Sequence, residues 1–236
     1  MPVSDKQIQW TVEVSATGLD NRKTTRLMAL DDVNLALFEA RYVERARGSQ
    51  ASFRKFRETW EGEANRLSLR PRAHILPVKD VFGEENSLFQ KFSLPKTGCL
   101  ASVWTLGPGA EPGEIGEADA AVALLLDMAA TFLLFGIWRQ VILPWARELL
   151  KPAGPCIAKT LQPDSDSLRS VFALKNIGDA GVTLNPSGAM VPAKSRCALI
   201  LAGNAEEKKG SGRCSSCDPR CIYGELNLCP HLEAFE

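Results

Sequence analysis

The sequence predicts a mixed α/β body followed by a short cysteine-rich segment. Residues 7–15 alternate between apolar and polar side chains, and residues 99–106 are almost wholly apolar; both patterns are typical of β-strands. Between residues 53 and 67, aromatic and aliphatic side chains recur three and four positions apart, which indicates an amphipathic helix. Strands interspersed with helices of unequal length predict a sheet that carries helices.

Six further elements are predicted from the same kinds of pattern. They are a helix over residues 31–46, an extended segment over 70–78, a helix over 118–138, a helix that begins near Ser165 and ends at Ile177 and Gly178, and strands over 181–184 and 196–202 joined by the turn 185–188. Pro144 is expected to kink or end the long apolar helix, with a short continuation to Leu150.

The formal net charge is zero, because the chain has 28 basic and 28 acidic side chains. A net charge of zero gives no bulk attraction for nucleic acid or for an anionic membrane, and neither partner is expected. The chain opens without a charged-then-apolar signal segment, which predicts a cytoplasmic protein. Residues 118–138 approach the length of a membrane span, but Asp127 in their middle would cost about 2.5–3.5 kcal/mol there. A buried core helix is therefore preferred.

Common catalytic motifs are missing from the sequence. It contains no GxGxxG, Walker, HExxH or GxSxG pattern. The two histidines are His74 and His231, so histidine acid–base catalysis has few candidates. His74 lies inside a predicted strand and is interpreted as a hydrogen-bonded structural residue. Ordinary hydrolase chemistry is poorly supported.

The seven cysteines form two groups. Three are isolated and are interpreted as structural thiols: Cys99, Cys156 and Cys197. Four form a C-x2-C-x3-C-x7-C pattern near the C-terminus: Cys214, Cys217, Cys221 and Cys229. An odd number of cysteines without a secretion signal argues against a disulfide framework. Four thiolates at these spacings predict either an iron–sulfur cluster or a tetrahedral zinc.

Three features favour a [4Fe–4S] cluster over zinc. The first three cysteines of the tail are crowded together, the fourth is followed by Pro230, and no second C-x2-C knuckle of the zinc-ribbon kind is present. The spacing is not that of ferredoxin, so zinc stays the alternative, as a staple for a tail too poor in apolar residues to fold alone. The predicted organisation is a body over 1–204, a linker over 205–212 and a metal-binding tail over 213–236.

Three segments of the body together carry a family resemblance. They are CLASVWTLGPGAE at residues 99–111, ADAAVALLLDMAATFLLFGIWRQV at 118–141, and LRSVFALKNIGDAGVTLNPSGAMVPAKSRCALILAG at 168–203. The last of them contains a P-x-K-S pattern at Pro192, Lys194 and Ser195, and LRPRAHILPV at 69–78 fits the segment before the first. In this order and spacing they resemble the activation domain of vitamin B12-dependent methionine synthase.

The resemblance implies an α+β fold with a twisted, largely antiparallel sheet flanked by helices. In that family the domain binds S-adenosylmethionine and presents it to the corrinoid, while an external electron donor reduces the inactive cobalt. The implied function is an accessory protein that docks a corrinoid protein or cobalamin-dependent methyltransferase and assists its reductive reactivation. A cluster in the tail would be the electron relay.

The resemblance also places candidate ligand-binding residues. Lys194 and Ser195 match the family in position, and Asp119 and Asp127 could meet the amino group of S-adenosylmethionine. Each has a structural alternative: a helix cap for Asp119, a hydrogen-bonded core carboxylate for Asp127, and a turn closed by Lys194 and Ser195.

One motif of the family has no counterpart here. Its Arg-x-x-x-Pro-Gly-Tyr-like segment would fall within residues 151–167, which contain neither an arginine nor Pro-Gly-Tyr. Lys151 or Lys159 would supply charge but not the planar fork that arginine offers a carboxylate. Two other functions therefore stay open. One is a non-catalytic binding module with a structural metal clip; the other, disfavoured, is a methyltransferase of unknown acceptor.

Overall fold

A computed structural model describes residues 9–17, 22–31, 35–40, 49–62, 69–78, 99–110, 119–150, 156–161, 166–174 and 177–202. Its strands are β1 (Gln9–Thr17), β2 (Lys23–Asp31), β3 (Arg72–Pro77), β4 (Cys99–Thr105), β5 (Cys156–Thr160), β6 (Thr183–Leu184), β7 (Met190–Val191) and β8 (Ser195–Ala202). Its helices are α1 (Leu35–Ala40), α2 (Gln50–Glu61), α3 (Ala120–Gly136), α4 (Leu143–Leu150) and α5 (Asp166–Phe172).

A six-stranded sheet in the order β2-β1-β3-β4-β8-β5 organises the described part of the chain. The β1–β3 pair is parallel, and the other neighbours are antiparallel. Strands β6 and β7 form a separate small hairpin. The mixed architecture, with a mostly antiparallel sheet flanked by helices, confirms the α+β class.

Each face of the sheet carries its own hydrophobic core. Helices α2, α3 and α4 cover one face, where alternate residues of β1 such as Val12 and Val14 are fully buried. Helix α5 and the β6–β7 hairpin belong to the core on the other face, which includes Val103 and Leu199. Strand β4 lies between both cores, so all of its residues are buried. This explains why its sequence is continuously apolar rather than alternating.

The N-terminal region differs from the prediction at β2. The sequence placed Leu30 and residue 31 at a helix, but both belong to β2, which pairs antiparallel with β1 along nine residues. The following helix, α1, begins at Leu35. Of the predicted range, 41–46 lies outside the described residues. Strand β2 gave no alternating pattern because Leu30 is its one buried residue.

Helix α2 forms where the aromatic pattern predicts it. Ser49 caps it, with its Oγ accepting from the Ser52 amide, and Phe53, Phe56 and Trp60 are buried. Phe38 of α1 meets both phenylalanine rings edge-on, at centroid distances of 5.9 and 5.5 Å. These contacts pack α1 against α2. Residues 64 and 67 of the predicted stripe lie outside the described residues.

The long apolar helix continues past Pro144. A π-helical segment, Ile137–Ile142, connects α3 to α4, and the Leu143 amide donates to the Trp138 carbonyl five residues earlier. The wider turn accommodates the proline, whose missing N–H and ring clash would disturb a regular α-helix. Pro144 therefore does not end the helix, which is one of the two predicted outcomes, and the predicted continuation to Leu150 is confirmed. The kink stays a prediction.

This continuous helix, Ala120–Leu150, is long and apolar enough to cross a membrane by length and composition alone. Such evidence is weak, and 67% of its most apolar window is buried inside the structure. That burial is typical of a core helix and agrees with the preferred interpretation.

Three other predictions change towards the C-terminus. Helix α5 ends at Phe172, and residues 177–178 begin a short 3-10 turn, Ile177–Ala180, rather than ending the helix. The turn at 185–188 joins β6 to β7, not directly to the long strand β8. Strand β5 was not predicted. The helix cap proposed at residues 164 and 165, the linker and the tail all lie outside the described residues.

Candidate functional site

The backbone of Lys194 is fixed at the end of the central strand β4. Its carbonyl accepts hydrogen bonds from the Leu106 amide at 3.1 Å and from the Thr105 Oγ1 at 3.2 Å. The Thr105 oxygen in turn accepts from the Gly107 amide at 3.0 Å. Gly107 has a φ of 85°, a conformation that favours glycine. The apolar strand and the Gly107 turn therefore hold the start of β8.

The side chain of Lys194 crosses to helix α3. Its Nζ donates to Asp127 Oδ1 at 2.8 Å and to Thr131 Oγ1 at 2.8 Å. The Thr131 hydroxyl donates to the backbone carbonyl of Asp127 at 2.9 Å. Because Asp127 and Thr131 are four residues apart, one helix face presents both to the ammonium. We call Lys194, Asp127 and Thr131 the lysine cluster.

The lysine cluster is partly exposed to solvent. The Lys194 side chain is 15% exposed and that of Asp127 is 38% exposed. An ammonium has three donors, and the two partners described above use two of them. Leu124, one turn earlier on α3, is 57% exposed. The cluster thus combines a paired cation, an accessible carboxylate and an apolar neighbour, which is chemistry suited to a polar ligand.

Two other predicted site residues have structural roles. Asp119 caps α3, with its Oδ1 accepting from the Ala121 and Val122 amides at 2.9 and 3.3 Å. Ser195 is buried and its Oγ donates to the Pro192 carbonyl at 2.6 Å. These contacts match the structural alternatives given for both residues. Their participation in ligand binding stays a prediction.

Arg196 is a basic residue beside the cluster that sequence reasoning missed. Lys194 immediately precedes β8, and Arg196 is the second residue of that strand. The Arg196 guanidinium lies 6.0 Å from the ring centroid of Phe135, which follows Thr131 by one turn of α3. Alternation along β8 was the signal that could have found it. Arg196 thus brings a guanidinium to α3, the helix that also carries the two partners of Lys194.

His74 lies on the opposite face, inside β3. The ring is buried, and within the described residues neither of its nitrogens has a hydrogen-bond partner. Burial lowers the pKa of His74 most; the Asp179 carboxylate and the Ser15 backbone raise this pKa, and the Lys23 ammonium lowers it. The structural interpretation of His74 therefore holds for its position, but the expected hydrogen bonds are not found.

The two isolated cysteines whose side chains are described are buried free thiols. Burial raises the pKa of Cys99 to about 12 and raises that of Cys197 as well. A thiol in this state is a poor nucleophile and a poor metal ligand at neutral pH. Both therefore behave as small apolar core residues, in agreement with the prediction.

The tail cysteines belong to residues 203–236, which lie outside the description. Among the described side chains, no group of three or more His, Cys, Asp or Glu residues has a metal-holding arrangement. The iron–sulfur and zinc alternatives consequently stay predictions that rest on the donor set alone.

No model of a known protein family matches the sequence, and no curated protein matches it either.

Proposed function

We propose that the protein is a cytoplasmic accessory factor of corrinoid metabolism that assists the reductive reactivation of a cobalamin-dependent methyltransferase or corrinoid protein. One observation supports the proposal most. The third of the segments that resemble the methionine synthase activation domain lies far from the other two in sequence, yet in the fold all three meet at the lysine cluster: the end of β4, helix α3 and the turn before β8.

S-adenosylmethionine is the proposed ligand of the lysine cluster. Its methionine end carries an ammonium and a carboxylate. The partly exposed Asp127 can accept from the ammonium, while Lys194 and Arg196 can donate to the carboxylate. Leu124 would contact an apolar part of the ligand. The methyl donor would thus be held at the edge of the body, where a corrinoid partner can reach it.

The tail would complete the same function. Its four cysteines, Cys214, Cys217, Cys221 and Cys229, are proposed to hold a [4Fe–4S] cluster. When bound, such a cluster would accept one electron from an external donor and pass it on at low potential. The chemistry needs that electron because cob(II)alamin must gain one to become cob(I)alamin. Methyl transfer from S-adenosylmethionine then gives methylcob(III)alamin and S-adenosylhomocysteine.

Calorimetry with S-adenosylmethionine tests the ligand. We expect the full chain to bind it and Lys194→Met to weaken binding about tenfold or more, because a hydrogen bond to a charged group contributes about 1.5–3 kcal/mol. Arg54→Met, which removes an exposed cation from α2, is the control and should bind normally. Absence of heat with the wild type would contradict the assignment.

Metal analysis of anaerobically purified protein tests the tail. We expect iron and sulfide together with absorbance near 400 nm. Cys217→Ser should lose this signal, and Cys156→Ser should keep it. A colourless protein that contains one zinc would contradict the relay and support a structural clip.

A non-catalytic binding module is the second candidate function. The pairing of Lys194 with Asp127 favours it, because the cluster satisfies its own charges without a ligand. In that case the contacts of Lys194 with Asp127 and Thr131 only stabilise the fold. Calorimetry separates the two candidates, since the module would bind no S-adenosylmethionine.

A further inference from the structure

Strand β2 forms one edge of the sheet. In the part of the chain that the structure describes, it pairs with β1 and with no other strand. It is nine residues long and almost entirely exposed, and Leu27 at its centre is 74% exposed. A long edge strand offers a row of backbone donors and acceptors to another strand.

Two contacts show which backbone groups of β2 face that edge. The Asp31 amide donates to Gln140 Oε1 at 3.0 Å, not to β1. The hydroxyl oxygens of Ser15 and Thr25 lie 3.2 Å apart, as suits a cross-strand pair without backbone hydrogen bonds, where side chains are closest. Because orientation alternates along a strand, the amides and carbonyls of Thr25, Leu27 and Ala29 also point away from β1.

The charges along β2 are self-complementary. Lys23 begins the strand and Asp31 ends it, with Leu27 midway between them. A two-fold axis at Leu27 would place a second β2 antiparallel to the first. It would pair Lys23 of each copy with Asp31 of the other, and residues 25, 27 and 29 would exchange about six backbone hydrogen bonds.

Neighbouring registers lack this match. An axis at Arg26 would place two guanidinium groups opposite each other, and an axis at Met28 would leave Lys23 without a cross-strand partner. The register centred on Leu27 alone pairs all nine residues and joins both ends by opposite charges. It also brings the two exposed Leu27 side chains together on the open face of the sheet.

We propose that β2 binds β2 of a second copy of this chain, antiparallel and centred on Leu27, so that the protein is a homodimer with one continuous sheet. Lys23 also bonds Asp179 of its own chain at 2.6 Å, and its three donors allow it to bridge both carboxylates. The lysine cluster contacts β8, near the other edge of the sheet, so dimerisation leaves it accessible.

Sedimentation velocity of the full chain over a wide range of concentration tests the dimer. We expect a concentration-dependent dimer that Leu27→Glu abolishes, because each carboxylate would face its copy and lie beside Glu13 on the neighbouring strand. Leu124→Glu, an exposed leucine on α3, is the matched control and should dimerise normally. A wild type that stays monomeric, or a dimer indifferent to Leu27→Glu, overturns the proposal.

A charge exchange tests the register. Lys23→Glu and Asp31→Lys should each be monomeric, because each places like charges opposite each other at both ends of the interface. An equal mixture of the two should form a heterodimer, in which both end pairs are again attractive. Circular dichroism establishes that each variant is folded. Failure of the mixture to associate overturns the centred register even if the wild type is a dimer.

Discussion

At the scale of single residues, His74 is a buried polar side chain whose two ring nitrogens have no hydrogen-bond partner among the described residues. A buried polar group without a hydrogen bond costs about 1–3 kcal/mol relative to one that is satisfied. Protonation would add the cost of a buried charge, and so burial lowers the pKa of His74 below its ordinary value of 6.5. The unfolded chain therefore binds this proton more readily than the folded chain.

This difference predicts a pH dependence of stability. The contribution of neutral His74 is fully present above about pH 6.5 and is lost as the pH falls from there through the lowered folded-state pKa. We expect the unfolding free energy, measured by denaturant titration, to decrease between about pH 7.5 and pH 5.5. His74→Leu should remove that decrease. At neutral pH it should leave stability unchanged or raise it by about 1 kcal/mol.

The matched control is His231→Asn, which removes the other histidine and should keep the pH dependence of the wild type. Asp179 does not obscure the result. The hydrogen bond from Lys23 lowers the pKa of its carboxyl, so the stability linked to Asp179 is lost at much more acidic pH. An unchanged pH profile in His74→Leu would contradict the proposed origin of the effect.

At the scale of elements, helix α3 depends on Asp119, the residue that caps its first turn. Asp119 satisfies two amides of the first turn, which no carbonyl within the helix can do. The carboxylate also lies at the positive end of the helix dipole. Because α3 covers the centre of the sheet, fraying at this end would loosen contacts beyond the first turn.

We therefore expect Asp119→Ala to lower the unfolding free energy by about 1 kcal/mol, within the range of 0.5–2 kcal/mol typical of a lost N-cap. Asp119→Ser is the control and should recover most of the loss, since a hydroxyl also caps. Thermal and denaturant unfolding measure both. Equal stability of Asp119→Ala and the wild type would contradict the capping role.

Elements with a clear pattern could be predicted from the sequence, and exposed ones could not. Strand β4 is buried throughout and helix α2 buries one face, so the sequence shows a continuous apolar run for the first and a helical period for the second. Strand β2 buries only Leu30, and without an inward-facing row it shows no period of two. The π-helical segment before Pro144 shows that a proline can be absorbed by a local change of helix type. That response depends on tertiary packing, which single-sequence patterns do not contain.

At the scale of the whole molecule, part of the candidate site could be predicted from the sequence and part could not. Asp127 and Thr131 share a helix face that could be derived from their spacing of four. Their meeting with Lys194, 63 residues away from Thr131, depends on the packing of α3 beside the residue that precedes β8. Arg196 reaches the same helix at Phe135, one turn after Thr131. The four tail cysteines were predicted from spacing alone, and their metal is a question for experiment.

In the proposed function, body and tail act together as one reactivating protein. The most direct test is an anaerobic assay that contains the full chain, cob(II)alamin bound to a corrinoid protein, S-adenosylmethionine and a low-potential electron donor. The visible spectrum should show loss of cob(II)alamin and formation of methylcob(III)alamin, and Cys217→Ser should be inactive. Equal methylcob(III)alamin formation without the protein, or with Cys217→Ser, would contradict the account.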